Sequence, residues 1–324
     1  MTQRKLFAGK EYFSQCIDWF PSVVYVFLMP STSLISIKNF APEDVQLLFS
    51  QVEKKVHQNK AQSPKVGALL FFEPSTRTRM SFEIACGQLG FPLSVLSSAH
   101  GTSLQKGESV LDTILNVTAM GPDFLVIRCG DDVNLEEINQ MISVPIVNAG
   151  WGTQGHPTQA LLDTYTLYSK FKKLKGLKVL VVGDVKHSRV ASSNFELFDL
   201  LGIEWAVCAP DYFLSEQFSK KYSGKKFESL QEALKWSDAT MALRCQFERH
   251  GEIQMDQKDY QGRYQLNAKT LKDYQGVILH PGPINHGIEL DFDTWNDSRS
   301  MIFEQVKNGV LIRQAIISGL FGKG

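Results

Sequence analysis

The sequence is poor in cysteine, and the few it has do not suit a metal site or a disulfide framework. The five are Cys16, Cys86, Cys129, Cys208 and Cys245, an odd and scattered set without a CxxC pair. This pattern argues against structural zinc and against disulfides, and it favours a reducing compartment. We therefore expect a cytoplasmic protein.

Excess charge and long apolar runs are also missing. Lys and Arg number 34 and so do Asp and Glu, so nothing favours broad attraction to nucleic acid or to an anionic membrane. No apolar run approaches the ~20 residues of a membrane span. The apolar segment 23–29 is short and follows Glu11 and Asp18, a poor fit to a secretory signal. Anion binding must therefore come from local clusters of residues.

Apolar, β-branched runs alternate with helical patterns along most of the chain. Such runs predict parallel sheets covered on both faces. The predicted strands are 66–72, 124–127, 145–147, 177–182, 203–208 and 277–279. We predict two open parallel-sheet α/β domains with the active site between them, because ligands bind beyond the carboxyl ends of such strands.

The division into domains follows from the same pattern. Residues 1–32 lack clear periodicity and are interpreted as an N-terminal extension of uncertain role. The first domain is predicted to comprise 33–160 together with a C-terminal helix at 300–320, and the second 161–299. No GxGxxG follows the predicted strand at 177–182, so a dinucleotide site is not supported.

The segment 71–79 (FFEPSTRTR) is the most informative motif. Ser75 can cap a helix whose first turn carries hydroxyls and guanidiniums, and helix N-termini bind phosphate readily. Arg77 and Arg79 add charge-assisted donors. The alternative is a capped helix whose arginines pair with a carboxylate such as Glu73. The motif predicts a site for a phosphate-bearing small molecule.

A second motif is the loop 148–159 (NAGWGTQGHPTQ). Pro157 suits the first position of a helix, so His156 lies at the helix start, which lowers the pKa of an imidazole and keeps it neutral. A neutral imidazole can donate a hydrogen bond to a carbonyl oxygen and stabilise charge developing there. Gln159, one turn later, can donate and accept. The alternative is a structural or solvated histidine.

Further polar groups follow strands in the second half of the chain. Arg189 begins a predicted helix that follows a Gly-Asp pair. Arg244 and Gln246 follow a strand-like stretch and, being two residues apart, would lie on the same side of an extended chain. The guanidiniums of Arg189 and Arg244 are both suited to binding a carboxylate. The rigid HPGP turn at 280–283 offers backbone carbonyls to an NH₂ group. The polar stretch 97–108 has a surface loop as its simplest interpretation.

Together these motifs resemble the aspartate carbamoyltransferase family, in the right order and over about 35–320. STRTR at 75–79 marks carbamoyltransferases in general. The aspartate-type marks are HPTQ at 156–159, the loop with Lys106, Arg244-x-Gln246, and HPGP. The ornithine-type marks, a cysteine in the histidine–proline motif near the chain end and a Ser-Met-Gly motif, are absent.

The resemblance implies a role for each matching residue. The implied ligands of carbamoyl phosphate are Ser75, Thr76, Arg77, Thr78, Arg128, His156, Gln159 and the backbone of Gly282 and Pro283. The implied aspartate ligands are Lys106, Arg189, Arg244 and Gln246. Ser103 and Lys106 would reach a neighbouring subunit's site, which requires an oligomer, by analogy a trimer. The implied catalytic residues are Arg77, Thr78, Arg128, His156 and Lys106. Glu73 and Arg249 resemble a pair that links the two domains.

The implied reaction transfers the carbamoyl group of carbamoyl phosphate to the α-amine of L-aspartate. It gives N-carbamoyl-L-aspartate and phosphate, the committed step of de novo pyrimidine (UMP) synthesis, without metal or organic cofactor. A regulatory chain or a dihydroorotase as a further partner is left open. The alternatives are a carbamoyltransferase for another amine such as ornithine, whose ammonium the two arginines disfavour, and a non-catalytic paralogue.

Overall fold

The computed structural model describes Met29 and residues 32–54, 65–97, 103–215, 218, 222–246 and 257–321. The predicted extension at 1–32 therefore lies outside the described residues, except for Met29 and Thr32. The helices are α1 (Pro42–Glu53), α2 (Thr76–Leu89), α3 (Val110–Ala119), α4 (Leu135–Met141), α5 (Pro157–Phe171), α6 (Arg189–Leu201), α7 (Leu230–Trp236), α8 (Gln257–Tyr264) and α9 (Ile302–Leu320). Short 3₁₀ turns cover Ile37–Asn39, Ser103–Lys106, Asp211–Phe213 and Thr294–Asn296.

The first sheet is parallel and has the strand order β2-β1-β3-β4. Its strands are β1 (Gly67–Phe71), β2 (Leu93–Leu96), β3 (Phe124–Cys129) and β4 (Ile146–Trp151). Every residue of β1 is buried, as expected for a strand covered on both faces. The register pairs Phe71 with Arg128, which places the start of the 73–79 motif beside the end of β3.

The second sheet is also parallel, with the order β7-β6-β5-β8-β9. Its strands are β5 (Lys178–Val182), β6 (Glu204–Cys208), β7 (Lys225–Lys226), β8 (Ala239–Ala242) and β9 (Val277–Leu279). β8 and β9 are wholly buried. The predicted fold class, two parallel-sheet α/β domains, is confirmed.

Two helices connect the halves. α5 leads from the first sheet toward the second, and α9 returns from β9 to pack on α2 and α5. The Arg313 guanidinium of α9 donates to the Ser81 hydroxyl of α2 at 2.7 Å, and Asn308 of α9 donates to Thr166 of α5 at 3.0 Å. These bonds tie α9 to a helix of the first half and to the helix that connects the halves.

Among the helices that the structure describes, none is long and apolar enough to cross a membrane. Cys86, Cys129, Cys208 and Cys245 are free and buried.

Candidate active site

A cleft of about 820 Å³ lies at the carboxyl ends of the strands of both sheets. It brings together most of the residues that the sequence singled out, from six separate stretches of the chain. The predicted residues that line it are Ser75, Thr76, Arg77, Thr78, Arg128, His156, Gln159, Arg189, Arg244, Gln246, Gly282 and Pro283.

The N-terminus of α2 faces this cleft. Ser75 is the N-cap residue, in extended backbone with φ −164°, but its hydroxyl makes no capping hydrogen bond within the described chain. The first-turn N–H groups and that hydroxyl are thus available to an anion. Arg77 is exposed to the cleft, but partial desolvation of its guanidinium by the surrounding protein lowers its pKa.

Arg77 reaches across to the 280–283 turn. Gly282 has a φ of +68°, and a Cβ there would lie 2.5 Å from the Arg77 guanidinium carbon. Only glycine therefore permits both this backbone conformation and this close approach. The contact joins the phosphate motif of the first half to the rigid turn of the second.

Arg79 does not share this position. Its guanidinium lies 3.4 Å from the Glu83 carboxylate one turn along the same helix, and Arg79 is not among the described residues that line the cleft. A helix turns by about 100° per residue, so positions two apart face different ways. The structure therefore brings Arg77, but not Arg79, to the cleft.

The Glu73 carboxylate lies near two guanidiniums in the cleft, those of Arg189 and Arg128. Its Oε2 lies 2.8 Å from Arg189 Nη2 and 3.7 Å from Arg128 Nε. The pKa of Arg128 falls to about 10, first because of burial and then because Arg189 lies nearby, so Arg128 stays charged at neutral pH. Arg249, the partner that the resemblance gave to Glu73, lies outside the described residues. The carboxylate nevertheless links the first half to the second, through Arg189.

His156 occupies the N-cap position of α5, with Pro157 next as predicted. Its backbone N–H donates to the Ser193 hydroxyl at 2.8 Å, and its side chain is buried. The pKa of His156 lies well below its usual value because of burial, and then because of the nearby charges of Arg128, Arg313 and Arg189. The sequence predicted the direction from the helix start alone, whereas burial and these guanidiniums are the main causes.

Arg189, Arg244 and Gln246 lie on the side of the second sheet. Arg189 begins α6 after the N-cap Ser188, and Arg244 and Gln246 follow β8. The Gln246 amide donates to the carbonyl of His187 at 2.9 Å, and Arg244 Nε donates to Asn285 at 3.4 Å. The two guanidiniums that suit carboxylates thus line the same cleft as the phosphate motif.

The 280–283 turn is held from behind by a buried hydrogen bond between His280 and Glu289. His280 Nε2 lies 3.2 Å from Glu289, while its Nδ1 accepts the backbone N–H of Gly282 at 2.8 Å. An accepting Nδ1 requires a neutral ring that donates from Nε2, and burial lowers the pKa of His280 accordingly. The backbone of Gly282 and Pro283 is thereby fixed at the cleft wall.

The 3₁₀ turn Ser103–Lys106 lies apart from this group. It follows β2, and Lys106 is not one of the described residues that line the cleft of its own chain. Within one chain, Ser103 and Lys106 are therefore the predicted site residues that do not line the cleft with the other predicted residues.

Two known protein domains match consecutive parts of the chain, and the boundary between them lies near the C-terminal end of α5. Residues 32–169 match the carbamoyl-P binding domain of aspartate/ornithine carbamoyltransferases, and residues 175–320 match their Asp/Orn binding domain. The chain belongs to the aspartate/ornithine carbamoyltransferase family. The prediction of this family from the sequence motifs is confirmed.

Curated relatives of the carbamoyltransferase family span most of the chain. An aspartate carbamoyltransferase catalytic subunit of Helicobacter acinonychis is 40% identical over 285 residues, covering 86% of this chain and 89% of the relative. Another, of Thermus aquaticus, is 41% identical over 276 residues, with 84% and 90% covered.

Solved structures agree in fold. Aspartate transcarbamoylase of Trypanosoma cruzi, in complex with carbamoyl aspartate and phosphate, matches with a TM-score of 0.80 and 26% identity, covering 93% of this chain and 99% of that one. The catalytic subunit of M. jannaschii aspartate transcarbamoylase matches with a TM-score of 0.79 and 29% identity, covering 90% and 98%.

The sequence reasoning missed the buried polar groups beneath the cleft. Arg313 and Gln305 of α9 line it, and Asp163 of α5 bonds to Gln159 and Gln305 behind it. A signal for Arg313 existed, since an arginine interrupts the apolar run of α9. A buried arginine needs a functional or structural partner. Asp163 had a weaker signal, an acid one turn after Gln159 within an apolar stretch.

Proposed function

We propose that this chain is an aspartate carbamoyltransferase, which transfers the carbamoyl group of carbamoyl phosphate to the α-amine of L-aspartate. The products are N-carbamoyl-L-aspartate and phosphate, and the reaction is the committed step of de novo pyrimidine synthesis. One observation carries the proposal: a single cleft is lined both by a phosphate-binding helix N-terminus and by Arg189, Arg244 and Gln246.

In this proposal the phosphate lies on the first turn of α2. The ligands we assign to carbamoyl phosphate are Ser75, Thr76, Arg77, Thr78, Arg128, His156, Gln159 and the backbone of Gly282 and Pro283. Phosphate favours the helix N-terminus because its N–H groups are unpaired and carry partial positive charge. Arg77 stabilises the charge that grows on the departing phosphate, together with Lys106 of a neighbouring chain.

His156 serves as a neutral hydrogen-bond donor to the carbamoyl oxygen. The uncharged α-amine attacks the carbonyl carbon, and negative charge develops on that oxygen beside His156, Arg128 and Thr78. Collapse of the tetrahedral intermediate breaks the bond to phosphate. The low pKa of His156 makes it a poor proton acceptor, so the departing phosphate takes the proton of the amine.

Arg189, Arg244 and Gln246 hold the two carboxylates of aspartate. A carboxylate accepts two parallel bonds from a guanidinium, which fixes the orientation of the amine toward the carbonyl carbon. Two guanidiniums at this end repel the side-chain ammonium of ornithine. The reaction proceeds by positioning and electrostatics and calls for no metal or organic cofactor. The four described cysteines are free thiols, which favours a cytoplasmic location.

We further propose that the working assembly is a trimer. Met80 and Ile84 on α2 and Val95 on the edge strand β2 are exposed apolar side chains of the first half of the chain. Exposed apolar surface of this kind marks an interaction site. In a closed ring, Ser103 and Lys106 of each chain would complete the cleft of the next. A regulatory chain or a dihydroorotase would bind elsewhere on this trimer.

Light scattering on the purified protein tests the assembly. We expect a mass three times that of the 36.4 kDa chain. Ile84→Arg should shift the mass toward a single chain and lower activity in parallel, because an isolated chain lacks the neighbour's Lys106. A fully active protein with the mass of one chain would contradict the trimer.

An activity assay tests the function. Purified protein is incubated with carbamoyl phosphate and either L-aspartate or L-ornithine, and both phosphate release and the carbamoylated product are measured. We expect carbamoyl-aspartate and no citrulline. Turnover with ornithine would overturn the assignment of the carboxylate end, and no turnover by the folded protein would favour the non-catalytic paralogue.

A further inference from the structure

A buried carboxylate lies directly behind the carbamoyl end of the cleft. Asp163, one turn after Gln159 on α5, is fully buried. Its Oδ1 accepts the amide N–H of Gln159 at 2.8 Å and of Gln305 at 2.7 Å, and its Oδ2 accepts that of Asn194 at 3.1 Å. Side-chain amides from α5, α6 and α9 thus converge on one group.

This convergence fixes which way each amide faces. An ionised carboxylate offers only acceptors, so each partner must present its NH₂ end to Asp163. The carbonyl end of Gln159, which lines the cleft, is then left for a ligand. The carbonyl of Gln305 accepts the backbone N–H of His280 at 2.9 Å, at the start of the 280–283 turn.

We propose that Asp163 is a positioning residue that makes the cleft select an NH₂ group beside the reacting carbonyl carbon. It does so by turning the Gln159 carbonyl toward the cleft and, through Gln305, by holding the turn that bears Gly282 and Pro283. The inference rests on the proposed function, because a carbamoyl NH₂ is a double donor that needs such acceptors. If the Gln159 amide were rotated by 180°, its NH₂ would face the NH₂ of the carbamoyl group, and no hydrogen bond could form.

The surroundings keep Asp163 ionised at neutral pH. Burial raises its pKa to about 6, while the three amides and the guanidinium of Arg313 on α9 act in the opposite direction. His156 at the start of the same helix stays neutral, as argued above. The carboxylate is therefore acceptor-only where the enzyme works. A merely structural role would instead tie the helices together without affecting ligand selection.

Asp163→Leu tests the inference. Leucine has about the same shape but no hydrogen-bond acceptor, so Gln159 and Gln305 both lose the bond that orients their amides. Isothermal titration calorimetry without any amine measures the Kd of carbamoyl phosphate, acetyl phosphate and inorganic phosphate. Acetyl phosphate carries a methyl in place of NH₂. We expect the Kd of carbamoyl phosphate to rise about tenfold, with the other two changing less than about twofold.

Thr166→Val is the matched control. Thr166 lies on the same helix and accepts Asn308 of α9 at 3.0 Å, so it ties the same helices without reaching Gln159. We expect all three Kd values to stay unchanged. Gln305→Met is a second test that leaves the Asp163 charge in place, and it should reduce the preference for carbamoyl over acetyl phosphate in the same direction.

Two results would overturn the inference. One is an equal loss of affinity for carbamoyl and acetyl phosphate in Asp163→Leu, or failure of that variant to fold combined with unchanged preference in Gln305→Met. The other is a wild-type protein with no preference for carbamoyl over acetyl phosphate, which would overturn the proposed function and this inference with it.

Discussion

Replacing Arg77 by alanine should lower kcat by about 10²–10³-fold, the loss typical of removing one donor to developing charge. The guanidinium lies at the N-terminus of α2 and against Gly282, so it reaches the phosphate site from the cleft wall. Its side chain is exposed to the cleft and fills no part of the core, so the variant should fold normally. Steady-state phosphate release, with circular dichroism as the folding check, measures the effect.

Arg79→Ala is the matched control for that variant. It removes the same side chain two positions later on the same helix, where the guanidinium pairs with Glu83. An exposed pair of this kind contributes little to stability, and activity should stay within about twofold of wild type. A near-fully active Arg77→Ala would exclude Arg77 from the proposed chemistry. Equal losses in both variants would point to damage of α2 instead.

The sequence predicted buried strands better than exposed ones. β1, inside its sheet, and β9, at an edge, are both wholly buried runs of apolar residues, which is why they were found. The edge strand β2 is half-exposed along its length and the edge strand β7 consists of two exposed lysines, and neither was predicted. An exposed strand carries little apolar signal, and lysine at an edge discourages further strand pairing.

The candidate site was predictable where motifs follow strands. Parallel strands bring their carboxyl ends together, so the 75–79 motif, Arg128 and Arg244 could be expected to meet. The pairing of Glu73 with Arg189 could not, because it depends on how the two sheets are set against each other. The bond from Gln305 to Asp163 joins groups 142 residues apart. No local pattern carries that information.

His156→Ala should lower kcat by about 10²–10³-fold, as for loss of an oxyanion donor. His156→Gln should retain more activity than His156→Ala, because its amide is also a neutral donor. The ring is neutral because it is buried and because Arg128, Arg189 and Arg313 lie nearby and disfavour a further positive charge, so a neutral amide is its best substitute. Kinetics of both variants at saturating carbamoyl phosphate measure the difference.

The pH dependence decides whether the imidazole acts as a neutral donor. A lowered pKa means that the neutral form persists as the pH falls through 6.5, the usual value for histidine. The pH profile of wild-type kcat should therefore show no inflection at 6.5 that depends on His156. An inflection near 6 that persists in His156→Gln would belong to another group, and Asp163, whose pKa is about 6, is the candidate. An inflection at 6.5 that disappears in His156→Gln would mean that the ring titrates in the working range. The ring would then be partly protonated in the working range, which would contradict its assignment as a donor that stays neutral.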